Sequence, residues 1–454
     1  MKMAGSTARL AAVETLLQLE NTGKPFSILF EAVARQYRVE GSDRQLAMKI
    51  IYGVLRNRDH LDRLLDLLCE RSADKIKPFV RQALRSGLYQ ICFLDRMPPP
   101  AAINETVNVI KARGLPARLQ GFVNGVLRQY LRLQAQLPLP HDPDGNGRPV
   151  LNHPAWLTDR WHRLYGEKTM IDICRHNNLE PLLSLRAGSE DARRTLCEQL
   201  SRDRVLWEAG AYARQCVIVR DFTGPVTEIA GIRSGRVHVQ DQAAQLATML
   251  LAPFTADLAV LDGCAGLGGK TIQLIELAEG KRVQVTAVEP DPRRFRTLKE
   301  SLASLRDRAD IHLVDRPLQE YAATCTTRFD RVLVDAPCSG TGVIGRHPDI
   351  RWNRRERDLA GYAGRQLELL STAAGMAAPG GVMVYSTCSI EPEENEQVVD
   401  RFLDQNPDFC MSDCRRHLPG TCGDLIRNGC FAPLPSFGLD GFFAARLVKR
   451  IKDD

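Results

Sequence analysis

Two cysteines stand out by what surrounds them. Cys338 lies in Val334-Asp335-Ala336-Pro337-Cys338-Ser339-Gly340-Thr341-Gly342, and Cys388 in Tyr385-Ser386-Thr387-Cys388-Ser389-Ile390. Cys338 directly follows the apolar run RVLVDAP and Cys388 ends GVMVYSTC, both of which read as strands, so both thiols are expected at neighbouring strand ends. A cysteine is most often a small buried hydrophobe. Two at strand ends, beside turn residues, fit thiol chemistry instead. Cys388 runs into the acidic stretch Glu391-Pro392-Glu393-Glu394-Asn395-Glu396. A helix N-terminus lowers a thiol pKa and nearby carboxylates raise it, so the net effect is not legible in the sequence.

The second chemical feature is Leu261-Asp262-Gly263-Cys264-Ala265-Gly266-Leu267-Gly268-Gly269-Lys270-Thr271, which joins a strand to a helix. Glycines permit a tight turn and close approach of a ligand to backbone, and the helix start favours negative groups. The Walker A spacing fails because its first glycine falls on Cys264, and the dinucleotide GxGxxG spacing fails too. The next strand ends at Glu289, placed to bind ribose hydroxyls, and the third at Asp315, in reach of an adenine amino group. Either acid could instead cap a helix.

A thiol beside a cofactor turn suits methyl transfer to C5 of a cytosine, a poor nucleophile. Adding a thiolate to C6 makes C5 enamine-like and able to attack a sulfonium methyl group. An acid near N3 would stabilise the adduct, and Asp335 is the candidate. A base must then remove the C5 proton so that the thiolate leaves. Covalent catalysis divides one hard step into easier ones.

These residues need a scaffold, and the chain of 454 residues is long enough for two or three domains. Residues 6–135 read as a helical bundle: Leu46, Ile50, Val54, Leu61, Leu64, Leu65 and Leu68 recur at helical spacing, with Ser42 and Asp43 as N-cap candidates. INETVNVIKARG and LQGFVNGVLRQYLRLQ predict two more helices, separated by Gly114 and Pro116. Residues 136–154 are rich in Pro, Gly, Asp and Asn. This divides the chain into a helical domain (1–140), a linker (141–154), a small α+β unit (155–245) and a strand–helix repeat (246–454). In the α+β unit LLSLRAG, CVIVRDF and RVHVQD predict strands and DARRTLCEQLSRD a helix. The last region predicts a doubly wound, mostly parallel sheet, whose ligands bind beyond the carboxyl ends of the strands.

Residues 1–140 carry 21 Lys and Arg against 12 Asp and Glu, while the whole chain is only +6. Such an excess suits a polyanion partner or a solvated helical surface. The 13 cysteines, odd in number and irregular in spacing, argue against a disulfide framework. The first residues lack the pattern of a signal peptide, and no apolar run reaches membrane-span length. A cytoplasmic location, no membrane association and a monomer are expected.

At the motifs the sequence resembles the RNA cytosine-C5 methyltransferases of the Nol/Nop/Sun family, in its RsmB (Sun/Fmu) branch. Asp335-Ala336-Pro337-Cys338 matches the first cysteine motif, and Ser386-Thr387-Cys388-Ser389 with Glu393-Glu394-Asn395-Glu396 the second. Arg346-His347-Pro348-Asp349-Ile350-Arg351-Trp352 fits the segment after the first motif, and Gln240-Asp241-Gln242-Ala243 the entry to the catalytic domain. The likeness covers nearly the whole chain. It implies a Rossmann-like class I methyltransferase fold (α/β), an N-terminal all-α NusB-like RNA-binding domain and a small α+β domain between them. The NusB likeness rests on Asn104-Glu105, Val107-Asn108 and Phe122-Val123-Asn124-Gly125-Val126-Leu127-Arg128. The resemblance implies Cys388 as nucleophile, Cys338 as the residue that assists adduct breakdown, and S-adenosyl-L-methionine as cofactor. Its contacts would be Cys264, Ala265, Gly266, Leu267, Gly268, Gly269, Lys270, Glu289, Asp315 and Asp335. The substrate implied is small-subunit (16S) ribosomal RNA. Alternatives are the same chemistry on transfer RNA or DNA, or a NusB-like RNA-binding protein with a silent methyltransferase domain.

Two departures stand out. The family loop usually reads Cys-Ala-Ala-Pro-Gly-Gly-Lys-Thr, and Gly266-Leu267 replaces its third and fourth residues. The family's Arg-Val-Asn in the middle unit is Arg186-Ala187-Gly188, so any RNA contact of that Asn is lost or supplied elsewhere. Arg186 could bind phosphate or simply lie on the surface. Trp352 could stack on a base or pack on the catalytic domain. Cys410, Cys414, Cys422 and Cys430 near His417 offer only one close pair, so no metal is expected.

Overall fold

The computed structural model describes residues 6–69, 72–140, 142–143, 147–220, 222, 224–436 and 438–451. The first five residues, Glu70 at the end of a predicted helix, Asp221 in a predicted strand, and linker residues 141 and 144–146 lie outside them. The chain forms two compact units: residues 1–179 with 344–356, and residues 180–343 with 357–454. No described helix is long and apolar enough to cross a membrane.

The first unit is helical: Ser6–Thr22, Phe26–Tyr37, Gly41–Arg56, Arg58–Leu68, Pro78–Phe93, Pro99–Ala112, Ala117–Leu133, Ala155–Tyr165 and Glu167–Asn178. Pro78 and Pro99 open their helices, where a missing N–H costs nothing. Ile50, Val54, Leu61, Leu64, Leu65 and Leu68 are buried in one core with Leu84, Leu88 and Leu127, while Leu46 is only partly buried. Gly53 allows close packing of two of these helices, since a Cβ there would lie 1.9 Å from the Tyr89 ring. The N-cap expectation is corrected: Glu40 holds the cap position of Gly41–Arg56, without a side-chain bond, and Ser42 and Asp43 fall inside the first turn.

The charge excess of this unit overstates its basic surface. Arg9, Arg56, Arg81 and Arg85 are buried. Arg85 donates two bonds of 2.6 Å to Asp62, and Glu20 accepts from Arg81 and Gln82 at 3.0 Å. Burial opposes the Glu20 charge, but Arg85, Arg81 and Arg58 outweigh it and hold the carboxyl below its usual range.

The segment 344–356 clusters with this helical unit. Arg351 is fully buried and donates to Asn152 O (2.8 Å), Asn177 O (2.8 Å) and Asn178 Oδ1 (2.6 Å). Trp352 donates from Nε1 to Leu55 O at 2.8 Å, and Arg58 lies 4.6 Å over its ring. Trp352 thus packs, but in the helical unit and not on the catalytic domain as expected.

The second unit begins with a four-stranded antiparallel sheet in the order β2-β3-β1-β4, made of β1 (Leu183–Ala187), β2 (Trp207–Ala209), β3 (Cys216–Val219) and β4 (Val237–Val239). Helix Glu190–Arg202, capped by Ser189 Oγ, packs Leu196 and Leu200 against Leu185, Val217 and Val219.

The larger sheet contains β5 (Ala259–Asp262), β6 (Gln284–Val288), β7 (Asp310–Val314), β8 (Phe329–Asp335) and β9 (Ala377–Thr387), parallel in the order β7-β6-β5-β8-β9. The interiors of β5, β6 and β9 are continuously buried, as expected where both faces are covered. Four short C-terminal strands extend it: β10 (Phe409–Ser412), β11 (Ile426–Arg427), β12 (Cys430–Phe431) and β13 (Phe443–Lys449), with β13 antiparallel to β9. The strand order reverses between β5 and β8, so the turn after β5 and the end of β8 flank the crevice where such sheets bind ligands.

Candidate active site

Strands β8 and β9 bring the two cysteine motifs together. Asp335 pairs with Ser386 across the strands, and Ala336 N donates to Ser386 O at 2.8 Å. Each chain then turns away from the sheet, which leaves Cys338 Sγ 3.3 Å from Cys388 Sγ. Gly342 N donates to Cys388 O at 3.0 Å, and Gly441 N to Gly342 O at 2.9 Å. A Cβ on Gly342 would lie 2.1 Å from Gly441 O, so only glycine permits this brace.

The Cys338 thiol is held well above its ordinary pKa, first by its hydrogen bond to Cys388, then by burial and by the charges of Cys388, Glu394 and Asp335. The Cys338 thiol is therefore held in its neutral form.

Lys270 Nζ donates to Asp335 Oδ2 at 2.6 Å, and Ser386 Oγ donates to Asp335 Oδ1 at 2.9 Å. Burial opposes the Lys270 charge, but Asp335 more than compensates and raises the ammonium above its usual range. The Cys388 charge acts in the same direction, which puts a cation beside the sulfur. Lys270 also lies 5.2 Å over the Phe442 ring.

The glycine turn is built from below by Asp262, a buried residue that sequence reasoning did not assign to the site. Its Oδ2 accepts from Thr271 Oγ1 (2.7 Å) and its Oδ1 from Cys264 N (3.3 Å). Burial raises its pKa to about 6 despite the Thr271 bond. Gly263 N donates to Leu333 O and Ala265 N to Val288 O, which ties the turn to both neighbouring strands. Gly266 (φ +58°) and Gly268 (φ +94°) adopt left-handed backbone, and helix Gly269–Leu277 starts directly after them. An added Cβ at Gly266 or Gly269 would meet nothing within 4 Å, so open space faces the turn at both. Leu267, the departure from the family loop, is 57% exposed. Burial pushes the Cys264 thiol up, aided by the Asp262, Asp335 and Glu289 charges, so Cys264 stays neutral.

Glu289, 5% exposed, ends β6, and its Oε1 accepts from Asp291 N at 2.7 Å. Asp315 follows β7 and is exposed. The capping role belongs to Asp291, which accepts from Arg293 N and Arg294 N. The structure thus gathers Cys338, Cys388, Asp335 and Lys270 directly, and places Glu289 and Asp315 at the same carboxyl edge as the turn.

Arg186 is corrected most strongly. It is neither on the surface nor free for phosphate: it is 2% exposed and pairs with Glu276 of helix Gly269–Leu277 and with Gln240. Gly188 explains how the carboxylate fits, because a Cβ there would lie 2.1 Å from Glu276 Oε1. Near the C-terminus the thiols pack into the sheet, with Cys430 Sγ 3.5 Å from Met411 Sδ. Among the described residues, no group of three or more His, Cys, Asp or Glu side chains is arranged to hold a metal.

A parallel sheet of this order, with a glycine turn after its first strand and acids at the next two strand ends, defines a Rossmann-like methyltransferase. Residues 248–448 match the family of 16S rRNA methyltransferases RsmB/F, residues 6–132 the NusB family, and residues 153–226 the ferredoxin-like domain of RsmF/B-like methyltransferases. The ribosomal RNA small subunit methyltransferase B of Erwinia tasmaniensis is 35% identical over 97% of this chain and 98% of its own. That of Salmonella arizonae is 33% identical over 99% of this chain and 100% of its own. The crystal structure of PH0851 shares the fold, with a TM-score of 0.76 and 24% identity over 99% of this chain and all of that one. The chain belongs to the RsmB/F methyltransferase family and is a methyltransferase with an N-terminal NusB-like domain.

Proposed function

We propose that the protein uses S-adenosyl-L-methionine to methylate C5 of a cytosine in small-subunit ribosomal RNA, through a covalent bond between Cys388 and C6. The observation that carries this reading is the 3.3 Å contact between the Cys338 and Cys388 sulfurs beside the Lys270–Asp335 pair. The choice of RNA rests on the relatives, which are ribosomal RNA small subunit methyltransferases.

The open glycine turn fits the cofactor. Residues Cys264 to Lys270 would hold it, with Glu289 and Asp315 at its hydroxyl and amino groups and Asp335 at its reactive end. When bound, it supplies an electrophilic methyl group. The Cys388 thiolate adds to C6, the S–C6 bond forms, and the electrons of the C5=C6 bond move to C5. The Lys270–Asp335 pair faces the ring and supplies a proton or hydrogen bond at N3. The carboxylate is already engaged by an ammonium, so Lys270 shares the role that sequence reasoning gave to Asp335 alone.

Once Cys388 is bonded to carbon, its charge and its hydrogen bond with Cys338 would both be lost. These are two of the causes that raise the Cys338 pKa. With those causes removed the Cys338 pKa falls, so its thiol would release its proton to solvent; once C5 carries the methyl group, the Cys338 thiolate would take the C5 proton. That loss restores C5=C6, breaks S–C6 and returns the Cys388 thiolate.

The test is transfer of a labelled methyl group from the cofactor to small-subunit ribosomal RNA, followed by nucleoside analysis. Label in 5-methylcytidine supports the reading, and label in any other nucleoside or in none overturns it.

A further inference from the structure

We propose that Glu394 is the positioning residue of this site: its buried carboxylate ties the Cys338 loop to the Cys388 loop and holds the two sulfurs in contact. This deepens the proposed function and rests on its reading of Cys388 as nucleophile.

Glu394 is fully buried, and its partners are the residues that directly follow the two cysteines. Ser339 donates its backbone N–H to Oε1 at 2.8 Å and its hydroxyl to Oε2. Ser389 Oγ donates to Oε2 at 2.6 Å. Gln366 Nε2 completes the set at 3.0 Å on Oε1, and also donates to Pro337 O at 3.0 Å, directly before Cys338. One carboxylate thus reaches residues 339 and 389, which are 50 positions apart in sequence. The two serine hydroxyls, 3.2 Å from each other, close the ring.

Asn395 extends the clamp. It accepts from Thr387 Oγ1 at 2.6 Å and donates to Ser389 O at 3.0 Å, so Cys388 is held on both sides.

Burying an anion is costly unless its oxygens are well supplied with donors, and here neutral donors supply them. No cation neutralises the carboxylate through these bonds, so its field reaches the adjacent thiol. That field is among the causes that keep Cys338 protonated. The clamp therefore fixes the distance between the sulfurs and helps to hold the Cys338 thiol neutral.

The experiment uses the full chain without RNA or cofactor. Iodoacetamide alkylation of Cys338 and Cys388 is followed by peptide mass spectrometry across pH 6–10, in the wild type and in Glu394→Gln. Wild-type Cys338 should alkylate more slowly than Cys388. In Glu394→Gln, removal of the charge should lower the Cys338 midpoint by about one pH unit, or about tenfold faster alkylation at a fixed lower pH. A folded Glu394→Gln protein with an unchanged Cys338 profile overturns the proposal.

If Glu394→Gln does not fold, Ser389→Ala replaces it, cutting one link while keeping the charge. Its kcat for methyl transfer should fall about tenfold with KM for RNA unchanged, and an unchanged kcat overturns the proposal. A wild-type chain that transfers no methyl group removes the functional reading alone, because the alkylation profiles still decide on Glu394.

Discussion

The sulfurs of Cys338 and Cys388 lie 3.3 Å apart, at the ends of two adjacent parallel strands. Of the two, Cys338 is held neutral by its neighbour, by burial and by the Glu394 and Asp335 charges, which is what the proposed division of roles between them uses.

Cys388→Ala should abolish both methyl transfer and any covalent RNA–protein adduct. Cys338→Ala should still attack and should accumulate the adduct, because no thiol remains to take the C5 proton. Denaturing gels with labelled RNA read the adduct directly, and exchanged outcomes would reverse the assignment.

Lys270→Met leaves Asp335 without its cation and Cys388 without a neighbouring ammonium. Methyl transfer at saturating RNA should fall by about 10²-fold or more, the usual loss when one charged group is taken from a reacting centre. Single-turnover kinetics check this, and a variant within threefold of wild type would remove Lys270 from the chemistry.

The Arg186–Glu276 pair is a structural join within the second unit, so Gly188→Ala should strain it. The added methyl group meets Glu276 Oε1 at 2.1 Å, and overpacking of this kind costs about 1–3 kcal/mol. Urea unfolding measures the cost. Glu276→Ala should not rescue stability, since it leaves a buried guanidinium unpaired.

His238 packs beside the same pair, 3.4 Å from Glu276. Burial, reinforced by the Arg186 charge, lowers its pKa to about 4 against a hydrogen bond with the Gly235 backbone. A folded pKa below the unfolded value of about 6.5 means that the unfolded chain binds more protons between the two. The stability from neutral His238 is thus complete above pH 6.5 and is lost as pH falls towards 4. The loss is on the order of 3 kcal/mol. His238→Gln should flatten the fall in unfolding free energy over that window, and an unchanged slope would show that His238 does not cause it.

Arg351→Met should destabilise the helical unit by about 3 kcal/mol or more, because it strands buried acceptors at Asn152, Asn177 and Asn178. Burial already lowers the pKa of this guanidinium to about 9. Arg351→Lys should recover little, since a single ammonium cannot reproduce a planar fork reaching three oxygens. Thermal unfolding of both variants tests this.

Much of this protein was legible in its residues. Apolar runs ending in Asp262, Glu289, Asp315 and Asp335 are local patterns, and local patterns determine strands, turns and their order. That order determines which ends of the strands carry the glycine turn and the two cysteines.

The sequence did not determine what long-range packing decides. Nothing near Cys338 in the chain announces Glu394, whose acidic surroundings read only as a helix start. Arg186 reads as a phosphate-binding or surface group and Trp352 stays undecided between stacking and packing, because partners such as Glu276 and Leu55 are remote in the chain. A side chain's charge state and freedom depend on what surrounds it in space. The raised pKa of Cys338 is therefore a property of the folded site, where Cys388, burial and the Glu394 and Asp335 charges act together on a group far from most of them in the sequence.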